Sequence, residues 1–131
     1  MLLHVNPSSG VPIYLQLVAQ VKQAVAAGAL KPGGALPTVR KLAADLSINP
    51  NTVARAYQDL GREGVIATVV GGGSFVADGV PGLLKSEKVR RLRPYARQMA
   101  VEGRQLRLSD EEVLKLVREE LGKLGGSRWT K

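Results

Sequence analysis

The sequence has no cysteine among its 131 residues, few aromatic residues and no long apolar run. Without cysteine it can form neither a disulfide framework nor a reactive thiolate. No stretch approaches the roughly 18 apolar residues that a membrane-spanning helix needs. The first ten residues, MLLHVNPSSG, lack the basic start and the apolar segment of an export signal. We therefore expect a cytoplasmic chain that has no contact with a membrane.

Residues that could carry out catalysis or hold a metal are also scarce. The only histidine, His4, lies in an N-terminal lead, residues 1–11, that is predicted to be extended and flexible. The glycines at 71–73 are followed neither by Lys-Ser/Thr nor by a helical pattern, which argues against a nucleotide-binding loop. The acidic run at 110–112 follows Ser109 as in a helix capping box. The sequence thus predicts no catalytic site, no metal site, no cofactor and no enzymatic activity.

Basic residues outnumber acidic ones, 19 against 11, which gives a net charge of +8. This excess favours a polyanionic partner such as nucleic acid, but it also fits a basic soluble protein. Residues 1–80 hold six basic against four acidic residues, and residues 81–131 hold thirteen against seven. A chain of this length accommodates one compact domain, or one domain with an appendage, and leaves no room for a large ligand-sensing domain.

An amphipathic helix is predicted over residues 12–27. Its apolar residues recur every four positions, at Ile13, Leu17, Val21 and Val25, and Gly28 follows where a left-handed cap would lie.

Two further helices, at about 38–46 and 50–63, are predicted to meet across a short turn at 47–49. Thr38 is the expected N-cap of the first of them. Asn49 can accept the free N–H groups at the start of the second, where a proline fits the first helical position. Two amphipathic helices joined in this way are typical of a helix-turn-helix.

The helix at 50–63 has an apolar face and a polar face. Tyr57 shares the apolar face with Val53 and Leu60, so we expect it to be a core residue rather than a base-stacking one. The polar side chains on the other face are Asn51, Thr52, Arg55 and Gln58. The following segment, 65–76, reads as two short strands joined at the three glycines.

In four segments the sequence resembles the GntR family of winged helix-turn-helix regulators. These segments are LPTVRKLA at 36–43, NPNTVARAY at 49–57, EGVI at 63–66 and GGGSFV at 71–76. The NPNTV start of the helix and the short chain resemble the YtrA-type branch of the family. The resemblance is specific over about residues 6–77 and weak elsewhere. It implies a mainly α fold with a small β-hairpin, in which residues 1–78 form a winged helix-turn-helix domain that binds DNA.

A recognition helix in the major groove contacts base edges with its N-terminal residues. Asn51 is the first candidate for such a contact, because a carboxamide pairs bidentately with adenine, and Arg55 can reach a guanine edge or a phosphate. The resemblance implies DNA contacts at Arg40, Asn51 and Thr52, with the 65–76 hairpin as the wing. The full set of candidate DNA-binding residues is Thr38, Arg40, Asn49, Asn51, Thr52, Arg55, Gln58, Gly71, Gly72 and Gly73.

Two departures from the family pattern weaken these expected contacts. Ala54 stands where many relatives have a second arginine, and Val69-Val70 precede the wing glycines where arginine or lysine is common. We therefore expect modest, salt-sensitive DNA binding by the isolated domain.

The C-terminal part again has helical periodicity. One predicted helix contains Pro94, which should kink it or mark its restart, and a second begins at the Ser109 capping box. Because two such helices cannot bury their apolar stripes alone, we infer a homodimerisation arm at 79–124, which the YtrA-type resemblance also implies. Residues 125–131 are predicted to be a flexible tail. The candidate dimerisation residues are Val89, Leu92, Met99, Val113, Val117 and Leu121.

Two functional interpretations follow. The first is a transcriptional regulator, expected to be a repressor, that binds a palindromic double-stranded DNA operator as a homodimer. The second is a winged-helix module that binds nucleic acid without sequence preference, or binds proteins, through the basic arm at 85–107. Its arginine stripe (Arg90, Arg93, Arg97, Arg104) can equally be a solvated helix face. The sequence leaves three alternatives open for a small-molecule effector: binding at the dimer interface, binding at the junction near 78–84, or no effector at all.

Overall fold

The structure is a computed structural model that describes residues 3–78 and 84–125. It forms two compact units, which we call the N-terminal unit (residues 3–78) and the helix pair (residues 84–125). The elements in order are α1 (Ile13–Ala26), α2 (Val39–Leu46), α3 (Pro50–Arg62), β1 (Ile66–Val69), β2 (Gly73–Val76), α4 (Lys85–Gln105) and α5 (Asp110–Lys123). This mainly α arrangement with one hairpin confirms the predicted fold class. The junction at 79–83 and the predicted tail beyond Gly125 lie outside the described residues.

The helices of the N-terminal unit begin where their capping residues indicate. At the start of α2, Thr38 Oγ1 accepts the backbone N–H of Lys41 at 3.1 Å. At the start of α3, Asn49 Oδ1 accepts the backbone N–H of Asn51 at 2.8 Å. Gly64, with a left-handed φ of 79°, follows the end of α3. These local signals determine where α2 and α3 begin and where α3 ends, without help from tertiary contacts.

The three helices of this unit enclose one apolar core. Its most buried large side chains are Leu17, Val21, Val53 and Leu60. Tyr57 is only 7 % exposed and donates its hydroxyl hydrogen to the carbonyl of Pro37 at 2.8 Å. Burial raises the pKa of Tyr57 to about 12, since a phenolate there would lose its hydration. The prediction that Tyr57 is a core residue is confirmed.

The hairpin is anchored at its base and open at its tip. The strands are antiparallel, and Ile66 pairs with Val76 at the buried end. The chain before α2 extends this sheet, because the N–H of Leu36 donates to the carbonyl of Ser74 at 2.9 Å. Val70 at the tip is fully exposed. A hairpin fixed in this way can project from the unit as a wing.

The N-terminal lead is docked on α1, so the prediction that it is flexible is wrong for its described residues. Gln20 accepts the N–H of His4 at 2.9 Å and donates to its carbonyl at 2.5 Å. Gln16 holds Asn6 in the same way, at 2.8 and 3.0 Å. Leu3 joins the buried core. Each glutamine carboxamide thus bonds both the N–H and the carbonyl of one residue of the lead, as a neighbouring strand would. His4 itself is exposed.

The helix pair consists of α4 and α5, and Pro94 lies inside α4. Because α4 continues through Pro94, the predicted restart is wrong, while the other predicted outcome, a kink, stays a prediction. The hydrogen bond that Pro94 removes lies on an exposed stretch, where water can satisfy the carbonyl. The capping box of α5 is present, since Ser109 Oγ accepts the N–H of Glu112 at 3.1 Å and Glu112 accepts the N–H of Ser109 at 2.9 Å. The pKa of Glu112 is lowered first by the Ser109 N–H, which donates to the Glu112 carboxylate, and second by the Ser109 hydroxyl.

The apolar side chains of the helix pair are almost all exposed. Among residues 84–125, only Gly103 is buried. Between α4 and α5 lies an apolar groove of about 500 Å³. It is lined chiefly by Leu92, Tyr95, Ala96, Met99, Leu106, Leu108, Val113, Leu116 and Val117. Exposed apolar surface of this extent marks an interaction site.

None of the helices in the two described ranges is long and apolar enough to cross a membrane.

The crossing of α4 and α5 depends on Gly103. A Cβ at this position would lie 2.5 Å from Val113 Cγ2, and a β-branched side chain has little rotamer freedom to move away. We expect Gly103→Ala to destabilise the protein by about 1–2 kcal/mol, measured by urea unfolding at fixed protein concentration. The matched control is Gly122→Ala in α5, where a Cβ would meet no atom within 4 Å apart from the adjacent backbone of its own helix; it should stabilise by roughly 0.5–1 kcal/mol. Equal stability of the two variants would contradict the close approach.

Candidate nucleic-acid interface

One face of α3 points away from the core and carries three of the ten predicted contact residues. The buried side chains Val53, Ala56, Tyr57 and Leu60 define the opposite face. With 100° between successive residues, the outward positions are Asn51, Arg55, Gln58 and Arg62, and all four are exposed. Thr52 lies at the edge of this face and is half-buried. Arg62 forms an ion pair with Asp59, so Asn51, Arg55 and Gln58 carry the polar groups of this face that have no acidic partner among the described residues.

Asn51 is fixed by its backbone and free at its side chain. Its N–H is bound by Asn49, and its carboxamide has no hydrogen-bond partner among the described residues. It can therefore present a donor and an acceptor together, as recognition of adenine requires. The Asn49 carboxamide is used as a helix cap, so its predicted role as a DNA contact remains a prediction.

Arg55 is held by a residue of another helix. Its Cζ lies 3.8 Å from the ring centroid of Tyr14, and its Nη2 donates to the Tyr14 hydroxyl at 3.0 Å. Tyr14 is in the first turn of α1, so this contact joins α1 to the outward face of α3. The sequence suggests a guanidinium without a partner in the protein, whereas the structure shows it bound to Tyr14. Arg55 nevertheless remains exposed.

The start of α2 adds a hydroxyl and a cation near the turn. Thr38 uses its hydroxyl oxygen as the cap but keeps its own O–H as a donor. Arg40 is exposed and forms no ion pair with any described residue. Lys41, beside it, pairs with Asp45 at 3.7 Å. Arg40 thus has an exposed guanidinium that is unpaired within the described part of the chain, and its contact with a DNA phosphate stays a prediction.

The tip of the wing supplies backbone and no charge. Gly71 and Gly73 have left-handed φ values of 74° and 89°, which side chains rarely adopt. The N–H of Gly72 donates to the carbonyl of Val69 at 2.9 Å and closes the turn. A tip of this kind can approach a duplex closely but cannot pair with it electrostatically.

The predicted dimerisation residues fall into two groups. Leu92, Met99, Val113 and Val117 line the apolar groove of the helix pair. Val89 and Leu121 are exposed but lie outside the groove lining.

Tyr14 is the residue of this interface that the sequence does not reveal. It follows Ile13, on the edge of the apolar stripe of α1, where a tyrosine reads as part of the core. Its partner is 41 residues away, and such a contact leaves no local signature. Only the packing of α1 against α3 brings the two side chains together.

The sequence profile of the family described as "Bacterial regulatory proteins, gntR family" matches residues 13–76. These residues run from the start of α1 to the end of β2. The chain is 32% identical over 118 residues to the HTH-type transcriptional repressor YtrA of Bacillus subtilis, covering 90% of this chain and 91% of that protein. The similarity therefore includes the helix pair as well as the N-terminal unit.

Two solved structures resemble this chain, one over its full length and the other over a little more than half of it. A transcriptional antiterminator from Listeria monocytogenes superposes with a TM-score of 0.82 at 32% identity, covering 100% of this chain and 98% of that one. The DNA-binding domain of AraR, solved in complex with operator ORX1, superposes with a TM-score of 0.51 at 28% identity, covering 56% of this chain and 98% of that one. The second structure contains DNA, and it matches only a little over half of this chain.

Proposed function

The chain belongs to the GntR family of bacterial regulatory proteins, and on this premise we propose that it is a repressor that binds a palindromic operator as a homodimer. It is a DNA-binding transcriptional regulator and not an enzyme. Repression would follow from occlusion of a promoter, in the cytoplasm where the chromosome lies. The relative in Bacillus subtilis carries the name of a repressor, which supports this direction of control.

The observation that carries the proposal is the outward face of α3. It presents the unpaired Asn51 carboxamide in the first turn and Gln58 two turns later, on a helix fixed by the Asn49 cap. We assign base contacts to Asn51 and Gln58. Thr38, Arg40 and Thr52 are assigned to the DNA backbone, which positions a protein without specifying sequence. The wing glycines, 71–73, would let the tip of the hairpin approach the DNA backbone closely.

The proposal of a homodimer rests on the helix pair. Its apolar groove and its exposed apolar side chains need a cover, and a second copy of the same surface can provide it through a two-fold interface. A dimer places two recognition helices on two half-sites, whose centres would be about one helical turn, ~34 Å, apart. This geometry makes a palindromic operator the expected target.

Selection from a pool of random double-stranded DNA tests the proposal. The full-length protein is expected to enrich an inverted repeat whose half-site centres are about 10 base pairs apart. A pool that the protein binds but that stays random after repeated rounds would contradict sequence recognition. Enrichment of a single half-site without its repeat would contradict the two-fold dimer.

A second candidate function is nonspecific nucleic-acid binding by the helix pair. In its favour, α4 holds seven basic against two acidic residues. Of the arginine stripe, Arg90 pairs with Glu87 and Arg104 with Asp110, whereas Arg93 and Arg97 form no ion pair within residues 84–125. A random pool after selection, together with loss of all DNA binding in an Arg93→Ala/Arg97→Ala variant, would favour this function over the first.

A further inference from the structure

We propose that Tyr14 is a positioning residue that presents Arg55 to a DNA phosphate. The inference rests on the proposed function, since it takes α3 to be the element in the major groove. It concerns a residue of α1, outside the helix-turn-helix, and it assigns Arg55 to the backbone rather than to a base.

The contact leaves most of the guanidinium available. A guanidinium has five N–H donors, and the hydroxyl of Tyr14 accepts from one nitrogen, Nη2. The stacked ring, 3.8 Å from Cζ, covers one face of the guanidinium plane and not its edges. Arg55 can therefore still donate two parallel N–H bonds to a phosphate. Because the Tyr14 hydroxyl acts as an acceptor, its own O–H also remains free to donate.

The direction of the Arg55 side chain favours the backbone over a base edge. Asn51 and Gln58 lie on the same outward face, but the contact with Tyr14 draws the guanidinium sideways toward α1. To reach a guanine on the floor of the groove, the side chain would have to leave the ring and give up the hydrogen bond. A phosphate strand that flanks the groove can be met without this change.

The contact with Tyr14 orders the Arg55 side chain before DNA binds. A free arginine loses rotamer freedom when it binds, which opposes binding. On Tyr14 the guanidinium is stacked and hydrogen-bonded in advance, at an exposed site where it keeps its charge. Three of the six basic residues of this unit, Lys22, Lys41 and Arg62, have acidic partners, so Arg55 is one of only three cations without one among the described residues. Removal of this one cation per subunit should therefore lower the affinity for DNA measurably.

A double-mutant cycle on the full-length protein tests the inference. The variants are Tyr14→Leu, Arg55→Gln and the two combined, titrated with the enriched operator and with scrambled DNA at several salt concentrations. Arg55→Gln should lower affinity for both DNAs by the same factor and reduce the log–log salt slope by roughly 1.8 per dimer, at about 0.9 per phosphate. Tyr14→Leu should lower affinity for both DNAs about threefold to tenfold, and it should have less than about a twofold effect when Arg55 is already replaced.

Two further variants separate positioning from packing. Tyr14→Phe keeps the ring face and should retain most of the affinity. Leu15→Ala removes an exposed side chain from the same turn of α1 and should leave binding unchanged. A Tyr14→Leu effect of equal size with and without Arg55 would overturn the positioning role. Loss of operator affinity alone in Arg55→Gln, with scrambled DNA unaffected, would overturn the phosphate assignment. Scrambled DNA reports on the Arg55 contact even if the operator proposal fails.

Discussion

Asn51→Ala is expected to lower affinity for the enriched operator by roughly 30-fold or more, because each bidentate carboxamide–adenine pair contributes about 1–3 kcal/mol and a dimer makes two. Affinity for scrambled DNA should change little, since Asn51 carries no charge. The substitution keeps the backbone N–H that the Asn49 cap binds at 2.8 Å, so the start of α3 should be preserved. The measurement is a pair of titrations, one with each DNA, for the variant and the wild type.

The control for this prediction is Gln23→Ala. Gln23 also carries an exposed carboxamide, but it lies on α1 and not on α3. It should leave both affinities within about twofold of the wild type, as expected for a surface substitution. If Asn51→Ala weakened binding to operator and scrambled DNA equally, Asn51 would be a backbone contact and the recognition of adenine would be wrong.

Leu92→Glu is expected to convert the proposed homodimer into monomers at micromolar concentration and to lower operator affinity by about 100-fold or more, because linkage of two half-sites contributes 10²–10⁴ in affinity. Leu92 lines the apolar groove, and a two-fold interface would contain the new carboxylate twice. The side chain is already 66 % exposed in the single chain, so the charge should not unfold the helix pair. Sedimentation velocity and operator titration measure the two effects.

Val101→Glu is the matched control for Leu92→Glu. Val101 lies on the same helix and is 60 % exposed, but it is not part of the groove lining. The same charge there should leave the dimer intact. Dissociation by both variants would indicate a general effect of charge on α4, and dissociation by neither would contradict an interface at the groove.

Local chemistry explains why the helix boundaries could be predicted from the sequence. Asn49 and Ser109 are polar caps whose bonding groups lie within three residues of them, and Gly64 has the left-handed φ that ends α3. Such signals involve neighbours along the chain and need no tertiary information. The outward face of α3 follows from the same periodicity, because the core side chains of the helix define its opposite side.

The contacts that the sequence does not disclose all join distant residues. The glutamines of α1 hold the lead across 10 and 16 positions, and the contact of Tyr14 with Arg55 spans 41. A glutamine on a helix surface and an arginine on a recognition helix both have ordinary solvent-exposed interpretations. Their actual partners depend on how α1 lies against the lead and against α3. Gly103 is a similar case, because only the crossing of α4 and α5 shows that a side chain there would meet Val113.

The central claim is that this protein recognises base sequence through α3 and is not merely attracted to DNA by its charge of +8. The most direct test is the ratio of its affinities for the enriched operator and for scrambled DNA of equal length, measured from low to physiological salt. We predict that both affinities fall with salt while the ratio stays at roughly 10³ or above, as for specific DNA-binding proteins. A ratio near one across the salt range, with the same steep slope for both DNAs, would contradict the claim.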